Sequence, residues 1–212
     1  MNIKCYHKYI MIEVEKKFLL TEKQQSDLLA DAKELGLKLV EDSYLDTDTF
    51  ALTKNDLWFR IRDGEYELKA PLTSGSGSYA ATNRYNEITD INEIAKVLGL
   101  DEHLDFETAL SDAGIKTFMT VLTSRKSYEK QGFHIDLDSA TYPGSTFEHT
   151  VAEIELLVSS ESEADEADRR IIEFAKTFDL TTDQVVLGKV ASYLKAERPE
   201  HYSALVDAGV LK

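Results

Sequence analysis

Apolar and polar residues alternate along several short stretches of this chain. In IEVEKKF (12–18), Ile12, Val14 and Phe18 fall on one side of an extended strand, while Glu13, Glu15 and Lys17 fall on the other. Only Lys16 breaks the order, and it should point away from that charged row. The same period of two recurs in LWFRIR, where Trp58, Arg60 and Arg62 oppose Leu57, Phe59 and Ile61. It returns with Glu67 and Lys69 in YELK, Asp136 and Asp138 in HIDLD, and Glu153 and Glu155 in AEIELL. With less regular runs included, the pattern predicts about eight strands, over 11–18, 38–45, 57–62, 65–70, 84–89, 118–127, 132–138 and 151–158. Most are consecutive and joined by spacers such as RDGEY, which implies antiparallel pairing.

A helical period appears in four places. TEKQQSDLLADAKELG (21–36) opens on Thr21 with Gln24 as its capping partner and stops at Gly36. DINEIAKVLG opens on Asp90 and ends on Gly99. Residues 162–178 carry Ala164, Ala167, Ile171, Phe174, Ala175 and Phe178 along one side of a charged helix. Residues 184–197 pack Val186, Val190, Tyr193 and Leu194, and end before Pro199. PLTSGSGSYAATN (71–83) has neither period and reads as a mobile surface loop. No linker divides the chain, so one domain is expected over 11–212, after a disordered extension over 1–10.

A charged strand face is ordinarily the wet side of a half-exposed sheet. Here the signs are sorted by strand, whereas a solubility surface mixes them. Trp58 also lies on the charged side, an odd place for a large ring unless it touches something. Both features suit an α+β fold: an eight-stranded antiparallel β-barrel with a polar interior and helices packed on the outside. Acids on one interior wall would hold a hard cation such as Mg²⁺, and Arg and Lys on another would grip phosphates.

Composition narrows the choice of partner. Acidic residues outnumber basic ones, 39 to 24, for a net charge of −15, which disfavours a nucleic-acid binder. Cys5 is the sole cysteine, so an intramolecular disulfide is excluded and a reducing, cytoplasmic setting fits. No long apolar run suggests a membrane span, and a monomer is expected. The five histidines lack metal-ligand spacing, and SGSGS lacks the Lys-Ser/Thr ending of a phosphate loop.

Glu13-x-Glu15-x-Lys17 resembles the ExExK signature of the CYTH superfamily, the triphosphate tunnel metalloenzymes. YLDTDTFALTKNDLWFRIRDGEYELKAP, YNEIT, HIDLDSATY, VAEIELLV and GKVASYLKAERPEHYSALV resemble its thiamine-triphosphatase branch, in order, from Met11 to Leu205. The resemblance implies phosphate contacts by Lys17, Arg60, Arg62, Lys69, Arg125 and Lys189. It implies metal and water contacts by Glu13, Glu15, Glu87, Asp136, Glu153 and Glu155, with Asp138 standing behind Asp136. Tyr44 would partner Lys17, the candidate base, and Trp58 would stack on thiamine. Leu45 replaces the family's second tyrosine. The implied activity is Mg²⁺-dependent hydrolysis of thiamine triphosphate, with Mn²⁺ as a substitute. A general triphosphatase, an adenylyl cyclase and a non-catalytic polyphosphate binder are the alternatives.

Overall fold

In the computed structural model, which describes residues 12–71 and 83–211, strand β1 (Ile12–Phe18) buries Ile12, Val14 and Phe18 in an apolar cluster. The expected extension over 1–10 and nearly all of the 71–83 loop lie outside the described residues. Seven further strands follow: β2 (Lys33–Asp46), β3 (Trp58–Arg62), β4 (Glu65–Pro71), β5 (Asn83–Ile88), β6 (Lys116–Lys130), β7 (Phe133–Thr141) and β8 (Glu148–Val158). Every pairing is antiparallel, and the strands close into a barrel in the order β1-β5-β4-β3-β2-β6-β7-β8. Closure removes the exposed edges that an open sheet of this length would carry.

Among the described residues, six helices cover the outside and one end. Helix α4 (Ala164–Lys176) lays Ala164, Ala167, Ile171, Phe174 and Ala175 against the outward rows of β1, β7 and β8. A second cluster seats α2 (Ile91–Leu98) and α3 (Phe106–Asp112) around Phe59 and Leu68. Helices α5 (Lys189–Glu197) and α6 (Pro199–Asp207) belong to a third, with Tyr44, Trp58, Tyr85, Met119 and Val121. Those five come from the interior rows of the strands, so α5 closes one end of the interior. Among the described residues no helix is long and apolar enough to cross a membrane.

The first predicted helix is corrected. Helix α1 (Glu22–Leu29) keeps the capping box of Thr21 and Gln24 but ends at Ala30, and Asp31 turns the chain at φ 59°. From Lys33 the chain is strand, paired with β6 along its length, and Gly36 marks a register shift at φ 133° rather than a helix stop. KELGLKLV also alternates, and a long partner strand outweighs a weak local helical preference. The helix of 184–197 likewise starts only at Lys189. Asp90 and Gly99 cap α2 as expected. Two short helices escaped the pattern: α3, capped by Asp105, and α6, which opens on Pro199 where the missing N–H costs nothing. Lys16 does sit on the outward row, yet it is 1% exposed beneath α4. There burial pulls its pKa down against the opposing charges of Asp168 and Asp183.

Candidate active site

Alternation aims the charged rows inward, and strand register decides which charges meet. Glu15 lies opposite Glu155, and Lys17 opposite Glu153. Arg60 faces Tyr44 on one side and Glu67 on the other; Arg62 faces Asp42. Lys69 faces Glu87, Arg125 faces Asp138, and Asp136 faces Glu153. These rows and the start of α5 enclose a cavity of about 320 Å³. All six expected phosphate residues line it, namely Lys17, Arg60, Arg62, Lys69, Arg125 and Lys189. So do Tyr44, Trp58 and five of the six expected acids, Glu13, Glu15, Glu87, Glu153 and Glu155.

The cations are anchored by carboxylates, two of which were not expected to matter most. Asp42 accepts from Arg62 Nε at 2.6 Å and Nη2 at 3.0 Å, and lies 3.7 Å from Arg60 and 3.9 Å from Lys189. Burial pushes its pKa up, but the hydrogen bond from Arg62 and the surrounding cations win and hold it low. Asp138 accepts from Arg125 Nε and Nη2, both at 2.7 Å, and from Lys189 at 3.2 Å. Arg125 also reaches Glu153 at 2.8 Å and Asp136 at 2.5 Å. Asp136 therefore does not stand among the converging acids. It is tied to Arg125, accepts from Ser127 Oγ at 2.6 Å and lies 3.0 Å from His134 Nε2.

Three carboxylates do converge: ligand oxygens of Glu13, Glu15 and Glu155 lie within 4.8 Å of one another. Burial, reinforced by the charges of Glu13, Asp136 and Glu15, pushes the Glu155 carboxyl up to about 9. Lys17 donates to Glu15 and Lys69 to Glu13 at 2.7 Å, so two of the three carboxylates already have an ammonium partner. An all-oxygen donor set of this kind fits a hard divalent ion.

Lys17 differs from expectation. Its ammonium donates to Glu15 and lies 3.5 Å from Glu153, while Tyr44 Oη accepts from Arg60 Nη1 at 3.3 Å. Burial lowers the Lys17 pKa, but the two carboxylates outweigh it and raise the value above the ordinary lysine range. That is the reverse of what a general base needs. Gly188, the N-cap of α5, makes room for this side chain: a Cβ there would meet Lys17 Cε at 3.0 Å.

In the row of Arg60 and Arg62 and across from Lys69, Trp58 forms with Tyr85 of β5 an aromatic stretch of the cavity wall. Trp58 Nε1 and Tyr85 Oη each donate to Asp56 Oδ1 at 2.9 Å. Sequence reasoning missed Asp56 and Tyr85. The only local signal was the placement of an acid two residues before a tryptophan on a polar row.

Comparison with known proteins agrees with this geometry. The family model described as the CYTH domain matches residues 11–186. No curated protein is a significant match. A Bacillus halodurans protein, provisionally described as an adenylate cyclase, is 23% identical with a TM-score of 0.52, covering 85% of this chain and 96% of its own. A Pyrococcus horikoshii protein is 20% identical with a TM-score of 0.55, covering 89% and 99%. A Hippeastrum protein, provisionally an adenylyl cyclase and reported to have a dominant triphosphatase activity, is 17% identical with a TM-score of 0.51, covering 88% and 96%. At these identities the likeness speaks to the fold.

Proposed function

This chain belongs to the CYTH domain family, and from that premise we propose that it hydrolyses thiamine triphosphate to thiamine diphosphate and phosphate in a metal-dependent reaction. Members of the family are typically triphosphatases or cyclases and depend on a metal ion. The observation that carries the reading is one cavity holding six cations, three converging carboxylates and an aromatic wall. Glu13, Glu15 and Glu155 are the residues that would hold the metal, Mg²⁺ or Mn²⁺, which when bound would supply charge neutralisation at phosphate oxygens.

The remaining work falls to the chain's own side chains. Arg60, Arg62, Lys69, Arg125 and Lys189 bind and orient the phosphate chain, with Glu87, Asp136 and Glu153 holding cations in place. Because these cations are fixed by carboxylates beforehand, little reorganisation is needed as charge builds on the transferred phosphoryl group. Lys17, held protonated by Glu15 and Glu153, grips phosphate rather than taking a proton from water. Tyr44 orients Arg60 through its hydroxyl. The phosphate rows alone would serve tripolyphosphate equally well, so Trp58 carries the organic half of the proposal. Its ring suits the cationic thiazolium and flat aminopyrimidine of thiamine.

A substrate panel with Mg²⁺ tests the reading. The expected order of kcat/KM is thiamine triphosphate above tripolyphosphate and ATP. Equal rates on all three would reduce the function to a general triphosphatase, and cyclic nucleotide from ATP would move it to a cyclase.

A further inference from the structure

The carboxylate of Asp56 lies outside the cavity but controls two side chains that line it. Its Oδ1 accepts from both Trp58 Nε1 and Tyr85 Oη, so β3 and β5 are tied through one oxygen atom. Asp56 itself is 7% exposed and cannot wander. It caps the turn Thr53–Asn55 in the left-handed region, φ 59°, and its N–H donates to Thr53 O at 3.0 Å. That turn is anchored to the end of β2. Asp46 accepts from the backbone N–H of Leu52 at 2.8 Å and of Thr53 at 3.0 Å, and from Thr53 Oγ1 at 2.6 Å. Thr53 Oγ1 in turn meets His201 Nε2 of α6 at 2.8 Å.

We propose that Asp56 is the positioning residue for substrate selectivity: it locks Trp58 and Tyr85 into one rigid aromatic wall that accepts a planar, cationic ring at the end of a phosphate chain. The inference rests on the function proposed above and adds the device that sets its ring preference. An aromatic ring free to rotate loses contact area and ordering with a stacked partner, whereas a ring held by a hydrogen bond is ready for it. Asp56 touches no substrate in this arrangement and acts only through its two partners.

Trp58 is the only tryptophan in the chain, so its fluorescence reads the indole directly. In the wild-type protein, thiamine diphosphate should quench the emission saturably and inorganic pyrophosphate should not. In Asp56→Ala the ligand-free emission should shift to longer wavelength as the indole is released towards water. The ratio of kcat/KM for thiamine triphosphate over tripolyphosphate should fall by about 2- to 30-fold, the range of a lost cation–ring contact. Asp56→Asn keeps an Oδ1 acceptor and should return the emission and most of the ratio, and it remains informative if the alanine variant fails to fold. An unshifted emission maximum with an unchanged ratio in Asp56→Ala would overturn the inference, as would equal loss in Asp56→Asn and Asp56→Ala. Failure of the wild type to cleave any triphosphate would instead overturn the proposed function, and the emission of the ligand-free variants would still decide the role of Asp56.

Discussion

The two sides of the barrel interior both pair cations with carboxylates, but they differ in how closely the carboxylates crowd one another. On the side of β2, β3, β6 and β7, each guanidinium has a carboxylate of its own: Asp42 for Arg62, Glu67 for Arg60, Asp138 for Arg125. On the side of β1 and β8, Glu15 faces Glu155 across the strands, and Glu13 stands beside them. Like charges directly opposite one another in a sheet repel. The first wall is preassembled, with its charges balanced before any ligand arrives. The second packs Glu155 against Glu13 and Glu15, which Lys69 and Lys17 already partner, and a divalent cation there could draw on all three carboxylates. Stability and function are thus weighted differently on walls whose charges are already sorted by strand in the sequence.

The largest effect should come from the wall where the three carboxylates crowd. Chelation with EDTA should abolish triphosphate hydrolysis, and Mg²⁺ should restore it in full; undiminished turnover in excess chelator would sink the metal role of Glu13, Glu15 and Glu155. The comparison is sharpened by removing one acid from each wall. Asp42→Ala strands Arg62 without its fully buried partner, leaves Arg60 only Glu67, and should cost about 3–5 kcal/mol in urea melts, the usual penalty for breaking a buried ion pair. Glu155→Gln mimics the protonated side chain of the metal-free site and should leave the metal-free melt within about 1 kcal/mol of wild type, while erasing the Mg²⁺-induced rise in Tm. A large loss from Glu155→Gln and none from Asp42→Ala would invert the assignment.

A smaller effect is expected on the aromatic stretch between the walls. Trp58→Ala should lower kcat/KM for thiamine triphosphate relative to tripolyphosphate by about 2- to 30-fold. Equal loss on both would make the indole a packing residue.

The smallest effect should appear at the closed end, in the pH dependence of stability. His201 stacks on Phe50 with ring centroids 3.9 Å apart, and burial lowers its pKa to about 4, against the pull of Asp46 and with the push of Arg198. The unfolded chain takes up a proton near 6.5, where folded His201 remains neutral. Stability should therefore be intact above pH 6.5 and fall as the pH drops towards 4. His201→Gln should flatten that part of the melt profile, and an unchanged slope would assign the acid sensitivity to other groups.

Much of this division was open to a reader of the chain alone. The period of two in IEVEKKF, LWFRIR and AEIELL depends only on the alternation of side chains along an extended backbone. It therefore set the inward rows, and with them Lys17, Arg60 and Arg62 among the cations that line the cavity, whereas Arg125 and Lys189 came only with the family resemblance. The sorting of charge by strand pointed to a closed interior for the same local reason. What tertiary structure alone decided were the partnerships. Asp42 is an unremarked acid in LVEDSY until β2 pairs with β3 and sets it beside Arg62. Asp136 and Asp138 are equivalent by pattern, and the pairing of β6 with β7 gives Asp138 the bidentate contact. KELGLKLV could have continued a helix and became strand because β6 was there to receive it. Asp56 joins Trp58 to Tyr85, a residue distant in sequence, through a left-handed turn that no periodicity reports. Alternation is a property of one backbone and is written in order along it. Register is a property of two, and it is chosen by the packing and pairing energies of the closed barrel as a whole.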